Sequence, residues 1–322
     1  MYSSAVSIIP ANVLKAAGII NFAAMKIASN KIKDIARFFR EELAGIYEPE
    51  ELTAVIRYCF EEIMAVKGAQ PDLQDERTVS ESELLKFNFA VKDLKKEKPL
   101  QYIFGKADFY GMKFFVNEHV LIPRPETEEL VHQIITDVNS AVLRSPSSNL
   151  QPSFSILDIG TGSGCIPVTL KKHLPQAAVS ALDVSEEALA LAKRNAELNG
   201  TEVNFFREDI LSPSVELFSS AYDIIVSNPP YIRLSEKEQM EKNVLDYEPH
   251  LALFTEGEDA LLFYRKICDA ALKLLKPGGM IYFEINAAFG PETEQLLVAK
   301  GFKNVTLLKD MSNKNRILRG AV

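Results

Sequence analysis

One decapeptide, Tyr222-Asp-Ile-Ile-Val-Ser-Asn-Pro-Pro-Tyr231, leads from a buried strand directly into a rigid polar turn. Its first half contains a short run of β-branched apolar residues, Ile224 to Val226, which is typical of a strand covered on both faces. Two consecutive prolines cannot donate hydrogen bonds to a sheet, so we expect the sheet to stop at Asn228. Ligands of open α/β sheets bind at the carboxyl ends of the strands. The decapeptide therefore predicts a central strand with a polar site at its end.

The turn offers atoms that suit a planar –NH₂ group. The side-chain oxygen of Asn228 is an acceptor, and we expect the carbonyl of Pro229, whose φ is fixed, to face the cleft. Two neighbouring acceptors match the two hydrogens of an amide or an exocyclic amine, and the ring of Tyr231 can lie against its flat face. The competing interpretation is that Asn-Pro-Pro is only a turn that ends the strand.

Strands and helices alternate on both sides of this decapeptide, which predicts a doubly wound parallel sheet. The predicted strands cover residues 154–159, 179–182, 203–206, 224–227 and 280–284, and the predicted helices cover 165–173, 185–199 and 260–275. Ser185 is expected to cap the second of these helices. One more helix and a final hairpin complete the prediction.

A glycine-rich loop, Gly160-Thr-Gly-Ser-Gly164, follows the first predicted strand and precedes a helix. Such a loop lets a ligand approach the backbone at a helix N-terminus. A dinucleotide fingerprint would place Gly or Ala where Cys165 stands. The observed GxGxG spacing is typical of S-adenosylmethionine sites, and Asp158 at the start of the loop fits such a site.

Each of the next two predicted strands is followed by an acid. Asp183 is placed to accept both hydroxyls of a ribose. Asp209 is placed to accept from an adenine amino group, with Ile210 packing on the ring. The alternative for each acid is a simple turn residue, because strand ends and turns favour Asp. The succession of glycine loop, two acids and Asn-Pro-Pro-Tyr favours a binding site.

Composition limits the classes of function. The chain has 322 residues, enough for about two domains, and its net charge of -8 argues against a broad nucleic-acid surface. Three widely spaced cysteines and four single histidines suggest neither a disulfide framework nor a metal site. No apolar stretch approaches the ~20 residues of a membrane helix. We expect a cytoplasmic monomer without a metal, a membrane contact or direct nucleic-acid binding.

The sequence predicts four regions along the chain. Residues 1–25 are an extension that makes a poor secretory signal, for which we expect disorder or a true start at Met25. Residues 26–97 carry apolar residues at helical spacing and predict a helical domain that recognises a substrate or partner. Residues 98–122 form a linker with a hairpin around Gly111, and residues 123–322 form the catalytic domain.

The stretch Leu121-Ile-Pro-Arg-Pro-Glu-Thr-Glu128 opens the catalytic domain. Thr127 or Glu126 is expected to open a helix that starts at Glu128. One interpretation is an N-cap with acidic first-turn residues. The other places Arg124 or Glu126 at the rim of the cleft.

These motifs resemble the HemK/PrmC family of glutamine methyltransferases. The matching stretches are Pro99-Leu-Gln-Tyr-Ile-Phe-Gly105, Val120-Leu-Ile-Pro-Arg-Pro-Glu-Thr-Glu-Glu-Leu-Val131, Leu157-Asp-Ile-Gly-Thr-Gly-Ser-Gly164 and Asn228-Pro-Pro-Tyr231. The similarity begins near residue 26 and extends to the end. It implies a Rossmann-like class I S-adenosylmethionine-dependent methyltransferase domain, with a doubly wound, mostly parallel seven-stranded sheet, behind an N-terminal all-helical domain. It also implies methylation of the glutamine amide in the Gly-Gly-Gln motif of class I peptide chain release factors.

The resemblance implies roles for individual residues. S-adenosylmethionine is expected at Gly160, Thr161, Gly162, Ser163, Gly164, Asp183, Asp209, Ile210 and Asn228. The substrate amide is expected at Asn228, Pro229, Pro230 and Tyr231, with Asn228, Pro229 and Tyr231 in catalytic roles. Some positions depart from the family. Ile210 stands where some relatives have an aromatic residue, and Phe283-Glu-Ile-Asn286 and Ser312-Asn313 replace more glycine-rich versions.

Three other functions remain compatible with the motifs. The target could be a glutamine in a large-subunit ribosomal protein, or a flipped DNA adenine, which the same tetrapeptide serves. The acidic charge and the lack of an evident target-recognition domain argue against DNA. A Rossmann-like binding module without catalysis is the third, and an intact Asn-Pro-Pro-Tyr argues against it.

Overall fold

The computed structural model describes residues 27–68, 71–144, 154–255 and 257–322, and within them excludes the side chains of 141–144 and 239. The expectations for residues 1–25 lie outside this part of the chain. The described residues divide into two compact units between Phe104 and Gly105. The predicted linker, 98–122, spans this division.

The first unit is built from helices around a core of its own. Its helices are α1 (Ile32–Leu43), α2 (Pro49–Met64), α3 (Glu81–Leu94) and the short α4 (Leu100–Phe104). Phe39, Phe60 and Phe87 are at most 1% exposed, and the ring centroids of Phe60 and Phe87 are 4.5 Å apart. The apolar spacing read from the sequence is therefore the buried face of these helices.

The second unit opens with the predicted hairpin. Strands β1 (Lys106–Phe109) and β2 (Met112–Phe115) pair in antiparallel fashion. Tyr110 and Gly111 form the turn with φ of 50° and 73°, and glycine makes the second of these conformations easy.

The remainder of the second unit is one seven-stranded sheet with helices along it. In chain order the elements are α5 (Pro125–Arg144), β3 (Ser155–Ile159), α6 (Cys165–His173), β4 (Ala178–Asp183), α7 (Glu186–Asn199), β5 (Asn204–Arg207), β6 (Tyr222–Ser227), α8 (Lys242–Tyr247), α9 (His250–Leu253), α10 (Leu262–Leu274), β7 (Leu275–Glu284), α11 (Gly290–Lys300), β8 (Lys303–Lys309) and β9 (Asn315–Ala321).

The sheet order confirms the predicted doubly wound, mostly parallel sheet. The order is β5-β4-β3-β6-β7-β9-β8, and only β9 runs antiparallel to its neighbours. Successive residues of β6 enter different cores, since Ile225 packs with α10 while Ile224 and Val226 pack with α5 and α6. Helices therefore cover both faces, and β6 lies at the centre.

Local sequence signals explain the end of β6 and the start of α7. Strand β6 ends at Ser227, directly before Asn-Pro-Pro, as predicted. Ser185 caps α7, because its hydroxyl accepts from the N–H of Ala188 at 3.1 Å.

Two predicted boundaries were wrong by more than two residues. Helix α5 begins at Pro125 instead of Glu128, because a proline has the φ of a first helical residue and no N–H to leave unpaired there. Thr127 consequently lies inside the first turn. Strand β7 begins at Leu275, so it is five residues longer at its start than the predicted strand 280–284.

No helix among the described residues is long and apolar enough to cross a bilayer. Those same residues contain no group of three or more His, Cys, Asp or Glu side chains arranged to hold a metal ion.

Candidate active site

The carboxyl ends of β5, β4, β3 and β6 open into one cavity of about 290 Å³. These four strands are parallel neighbours, so the segments that follow them meet at the same edge of the sheet. Most of the predicted site residues line the cavity, namely Gly160, Thr161, Gly162, Ser163, Asp183, Asp209, Ile210, Asn228, Pro229 and Pro230. Gly164 and Tyr231 do not belong to this lining.

The glycine loop turns back onto the end of β4. The N–H groups of Gly160 and Thr161 both donate to the carbonyl of Leu182 at 3.0 Å. Gly164 has a different task, since a Cβ there would lie 2.9 Å from the Cβ of Ala192 on α7. The last glycine therefore permits close packing of helix and loop.

Asp183 is partly engaged by the backbone of this loop. One carboxylate oxygen accepts from the N–H of Gly162 at 2.8 Å and the other from the N–H of Ser185 at 3.0 Å. Burial raises the pKa of Asp183, while these N–H groups lower it. Each oxygen keeps a second acceptor position that a ribose hydroxyl could fill.

Asp209 and Ile210 differ in exposure. Asp209 is exposed, and one of its oxygens accepts from the N–H of Leu211 at 2.9 Å. Ile210 is 8% exposed and presents an apolar surface to the cavity. The Ile210 side chain therefore offers a surface on which a flat ring, such as adenine, could pack.

Two side chains of the Asp158–Gly164 stretch carry buried polar atoms that favour a charged ligand. The hydroxyl of Thr161 and both carboxylate oxygens of Asp158 have no hydrogen-bond partner among the described residues. Burial raises the pKa of Asp158 to about 7, while the nearby Thr161 hydroxyl, which makes no well-formed hydrogen bond with this acid, acts in the opposite direction. Leaving such atoms unpaired is costly. Asp158 is 0% exposed and does not belong to the cavity lining, whereas Thr161 does, so the charge of this acid would favour a cationic ligand such as S-adenosylmethionine from beneath the loop residues.

Asn228 is held from two sides at the end of β6. The preceding residue, Ser227, donates its hydroxyl to the carbonyl of Ile159 at 2.7 Å, which ties β6 to β3. The side-chain nitrogen of Asn228 lies 3.4 Å from the hydroxyl of Thr127, and that hydroxyl donates to Glu284 at 2.6 Å. The Asn228 oxygen therefore remains available as an acceptor.

Tyr231 packs beside the cavity residues on the apolar core around β7. Burial raises the pKa of its hydroxyl to about 12, and the nearby Glu284 acts in the same direction. The phenol consequently stays protonated at neutral pH. Its contact with a substrate amide stays a prediction.

A segment that the sequence did not reveal completes the cavity wall. After β6 the chain folds back, with the N–H of Ile232 donating to the carbonyl of Leu253 at 3.1 Å. This return brings Pro249, Leu251 and Ala252 into the lining.

One buried acid fastens that segment to the start of α5. Glu248, which is 4% exposed, accepts from the guanidinium of Arg124 at 2.6 Å and from the N–H of Ile122 at 3.3 Å. Arg124 lines the cavity, as one of the two interpretations predicted, whereas Glu126 does not belong to the lining. No local sequence pattern marks Glu248, because both of its partners are distant along the chain.

Several known proteins resemble this chain. The Methyltransferase small domain model matches residues 134–258. Among solved structures, a methyltransferase from Pyrococcus furiosus aligns with a TM-score of 0.46 and 18% identity over 66% of this chain and 90% of that one.

Curated relatives are far more similar in sequence. The release factor glutamine methyltransferase of Flavobacterium psychrophilum is 45% identical over 89% of this chain and 98% of its own length. That of Bacteroides thetaiotaomicron is 42% identical over 88% of this chain and 98% of its own. That of Bacillus subtilis is 37% identical over 92% of this chain and 96% of its own length. The resemblance read from the motifs is confirmed, and the chain belongs to the release factor glutamine methyltransferase family of S-adenosylmethionine-dependent enzymes.

Proposed function

We propose that this chain methylates the side-chain amide nitrogen of the glutamine in the Gly-Gly-Gln motif of class I peptide chain release factors. The observation that carries the proposal is Asn228, held at the end of β6 with its nitrogen toward Thr127 and its oxygen free to accept. The names of the curated relatives support a release factor as the substrate. We further propose that the protein acts as a monomer in the cytoplasm.

Amide nitrogen is a weak nucleophile, because its lone pair is delocalised into the carbonyl. Two side chains that could act as bases are held in their protonated forms. Burial raises the pKa of the Cys165 thiol to about 12 and that of the Tyr231 phenol to about 12. The proposed mechanism therefore relies on orientation of the amide and not on its deprotonation by these groups.

Asn228 and Pro229 do the orienting. The Asn228 oxygen and the Pro229 carbonyl accept the two hydrogens of the substrate amide and so fix the direction of its nitrogen lone pair. S-adenosylmethionine, when bound, supplies an electrophilic methyl group. Orientation of this kind is worth up to roughly 7–11 kcal/mol. The two acceptors also stabilise the positive charge that develops on the nitrogen.

The proposed cofactor residues are those around the glycine loop. Gly160, Thr161, Gly162 and Ser163 line the cavity, while Gly164 shapes the loop through its close packing on α7. Asp183 accepts hydroxyls, and Asp209 with Ile210 holds the adenine. Asn228 borders the same cavity. The unpaired Thr161 and Asp158 atoms support a cationic ligand at this position.

Methyl transfer from labelled S-adenosylmethionine to a purified class I release factor tests this function. We expect label on the natural factor and none on a factor whose Gly-Gly-Gln glutamine is replaced. Label on both would place the reaction at another atom. Label on neither, with cofactor still bound, would contradict the release factor and direct the assay to ribosomal protein and then to DNA.

We propose that the helical unit recognises the protein substrate. The helical unit has a core of its own, which contains none of the residues that line the cavity, and this supports a separate role for it. In the same assay, a chain that begins at Gly105 should bind cofactor normally but show a raised KM for the release factor. An unchanged KM would contradict the assignment.

A further inference from the structure

Behind Asn228 lies a chain of three buried or half-buried side chains, Glu284–Thr127–Asn228, whose outer two members the proposed mechanism does not use. Glu284 ends β7, Thr127 lies in the first turn of α5, and Asn228 follows β6. Thr127 is 3% exposed and Glu284 is 2% exposed. A polar group buried to this extent is retained only where its hydrogen bonds are satisfied.

The hydrogen bonds of this chain have a direction. The hydroxyl of Thr127 has a single hydrogen, which it donates to Glu284 Oε2 at 2.6 Å, a length typical of O–H···O⁻ bonds. Toward Asn228 the same oxygen can then only accept. The Asn228 atom at 3.4 Å is the donor Nδ2, which agrees with that requirement. Catalytic hydrogen bonds are often this long before the substrate binds.

We propose that Glu284, acting through Thr127, sets the orientation of the Asn228 amide so that its oxygen faces the substrate nitrogen. Glu284 and Thr127 are positioning residues in this proposal, which rests on the proposed function of the site. With the amide reversed, the Asn228 oxygen would face the Thr127 oxygen, whose only hydrogen is already donated to Glu284. Two acceptors would then face each other without a hydrogen bond. Hydrogen bonds in a chain also polarise one another, so the carboxylate makes the Asn228 oxygen a stronger acceptor.

The charge state of Glu284 is set by groups from several elements. Burial raises the pKa of Glu284 to about 7, and Glu126 on α5 acts in the same direction. Thr127, Arg316 on β9 and Arg124 before α5 act in the opposite direction. Tyr231, following β6, and Cys165, at the start of α6, also interact with this acid. The hydroxyl of Tyr264 on α10 donates to the Glu284 carbonyl at 3.1 Å and not to its carboxylate.

A pH dependence follows from this environment. Above pH about 7 the ionised Glu284 accepts the Thr127 hydrogen and holds Asn228 in the productive orientation. Below that pH the protonated acid can itself donate to Thr127, which frees the threonine hydrogen to face Asn228 and favours the reversed amide. We therefore expect kcat to rise as the pH increases through about 7.

Four variants test the proposal in the full chain with a class I release factor as substrate. Thr127→Val removes the hydroxyl and should lower kcat about tenfold, the loss expected for one oriented hydrogen bond, with smaller changes in KM and cofactor Kd. Thr127→Ser keeps the hydroxyl and should restore kcat. Glu284→Gln should lower kcat and remove its rise near pH 7. Thr169→Val is the control, because Thr169 is buried with an unpaired hydroxyl away from the cavity lining, and should leave kcat unchanged.

A substrate-free measurement separates this proposal from the proposed function. The side-chain NH₂ resonances of Asn228 should shift with pH through about 7 in the ligand-free wild type and lose that shift in Glu284→Gln. If the wild-type protein does not label the release factor, only the proposed substrate is contradicted. The Asn228 resonances would still test whether Glu284 orients Asn228 through Thr127. The proposal would be overturned if the pH-dependent shift of the Asn228 resonances were the same in Glu284→Gln as in the wild type. It would also be overturned if kcat of Thr127→Ser were as low as that of Thr127→Val.

Discussion

At the scale of single residues, two buried acids, Asp158 and Glu284, lie next to residues that line the cavity. They are 0% and 2% exposed, and burial raises the pKa of each to about 7. Ionised groups in such positions reduce the stability of the fold, and groups with strongly shifted pKa values concentrate at functional sites. We infer that both acids serve the ligands of the site at the expense of stability.

The loss of stability caused by ionising a buried acid can be measured for Asp158 in the ligand-free protein. Its pKa in the fold, about 7, is above the ordinary value of 3.8, so the stability that its protonated form contributes exists at low pH and is lost as the pH rises from about 4 to 7. Asp158→Asn removes that loss. Its free energy of unfolding relative to wild type should therefore rise across this window by up to about 4 kcal/mol.

Urea unfolding of both proteins at several pH values checks this expectation. Glu197→Gln is the matched control, because Glu197 is an exposed acid on α7, and it should show no comparable trend. A difference between Asp158→Asn and wild type that stays constant with pH would contradict the assigned ionisation of Asp158.

At the scale of elements, the site is made by the ends of parallel strands. Each strand end supplies one part of it: the glycine loop after β3, Asp183 at the end of β4, Asp209 and Ile210 after β5, and Asn228 after β6. The loops are short and their partners adjacent, so local sequence patterns predicted these parts well. The predicted helix 165–173 coincides with α6 for the same reason.

The contacts that the sequence could not predict join distant parts of the chain. Thr127 and Glu284 are 157 positions apart, and Arg124 and Glu248 are 124 positions apart. Each acid looks like an ordinary strand-end or loop residue until the sheet forms. The prediction that Thr127 or Glu126 opens the helix was wrong, because the Thr127 hydroxyl suits an N-cap and nothing local indicates that it faces Glu284.

A substitution at Gly164 tests whether the glycine loop must pack closely against α7. Gly164→Ala should destabilise the fold by roughly 2–4 kcal/mol, because the new Cβ meets Ala192 at 2.9 Å and φ is 79°. Gly200→Ala is the control, since φ there is 63° but nothing lies within 4 Å. It should cost only about 1 kcal/mol.

Chemical unfolding measures both variants, and cofactor titration shows whether the loop has moved. We expect weaker cofactor binding for Gly164→Ala alone. Equal destabilisation by the two substitutions would mean that contact with α7 does not explain this glycine.

At the scale of the whole molecule, the chain combines a helical unit and a catalytic unit that have separate cores. The net charge of -8 and the small cavity suit a protein substrate that presents a single side chain better than a long nucleic acid. On this account the catalytic unit contributes orientation: the strand ends fix the cofactor, and Asn228 with Pro229 fixes the amide.

Single-turnover methyl transfer by Asn228→Ala, measured beside its cofactor affinity, tests that central claim most directly. We predict a rate lower by about 10²–10³, the loss typical of removing one preorganised hydrogen-bonding group at a reacting centre. Cofactor Kd should change less than about threefold, which is well under 1.4 kcal/mol, because the glycine loop and Asp183 remain. A rate close to wild type, or a loss of rate explained wholly by lost cofactor binding, would contradict the claim that Asn228 orients the substrate.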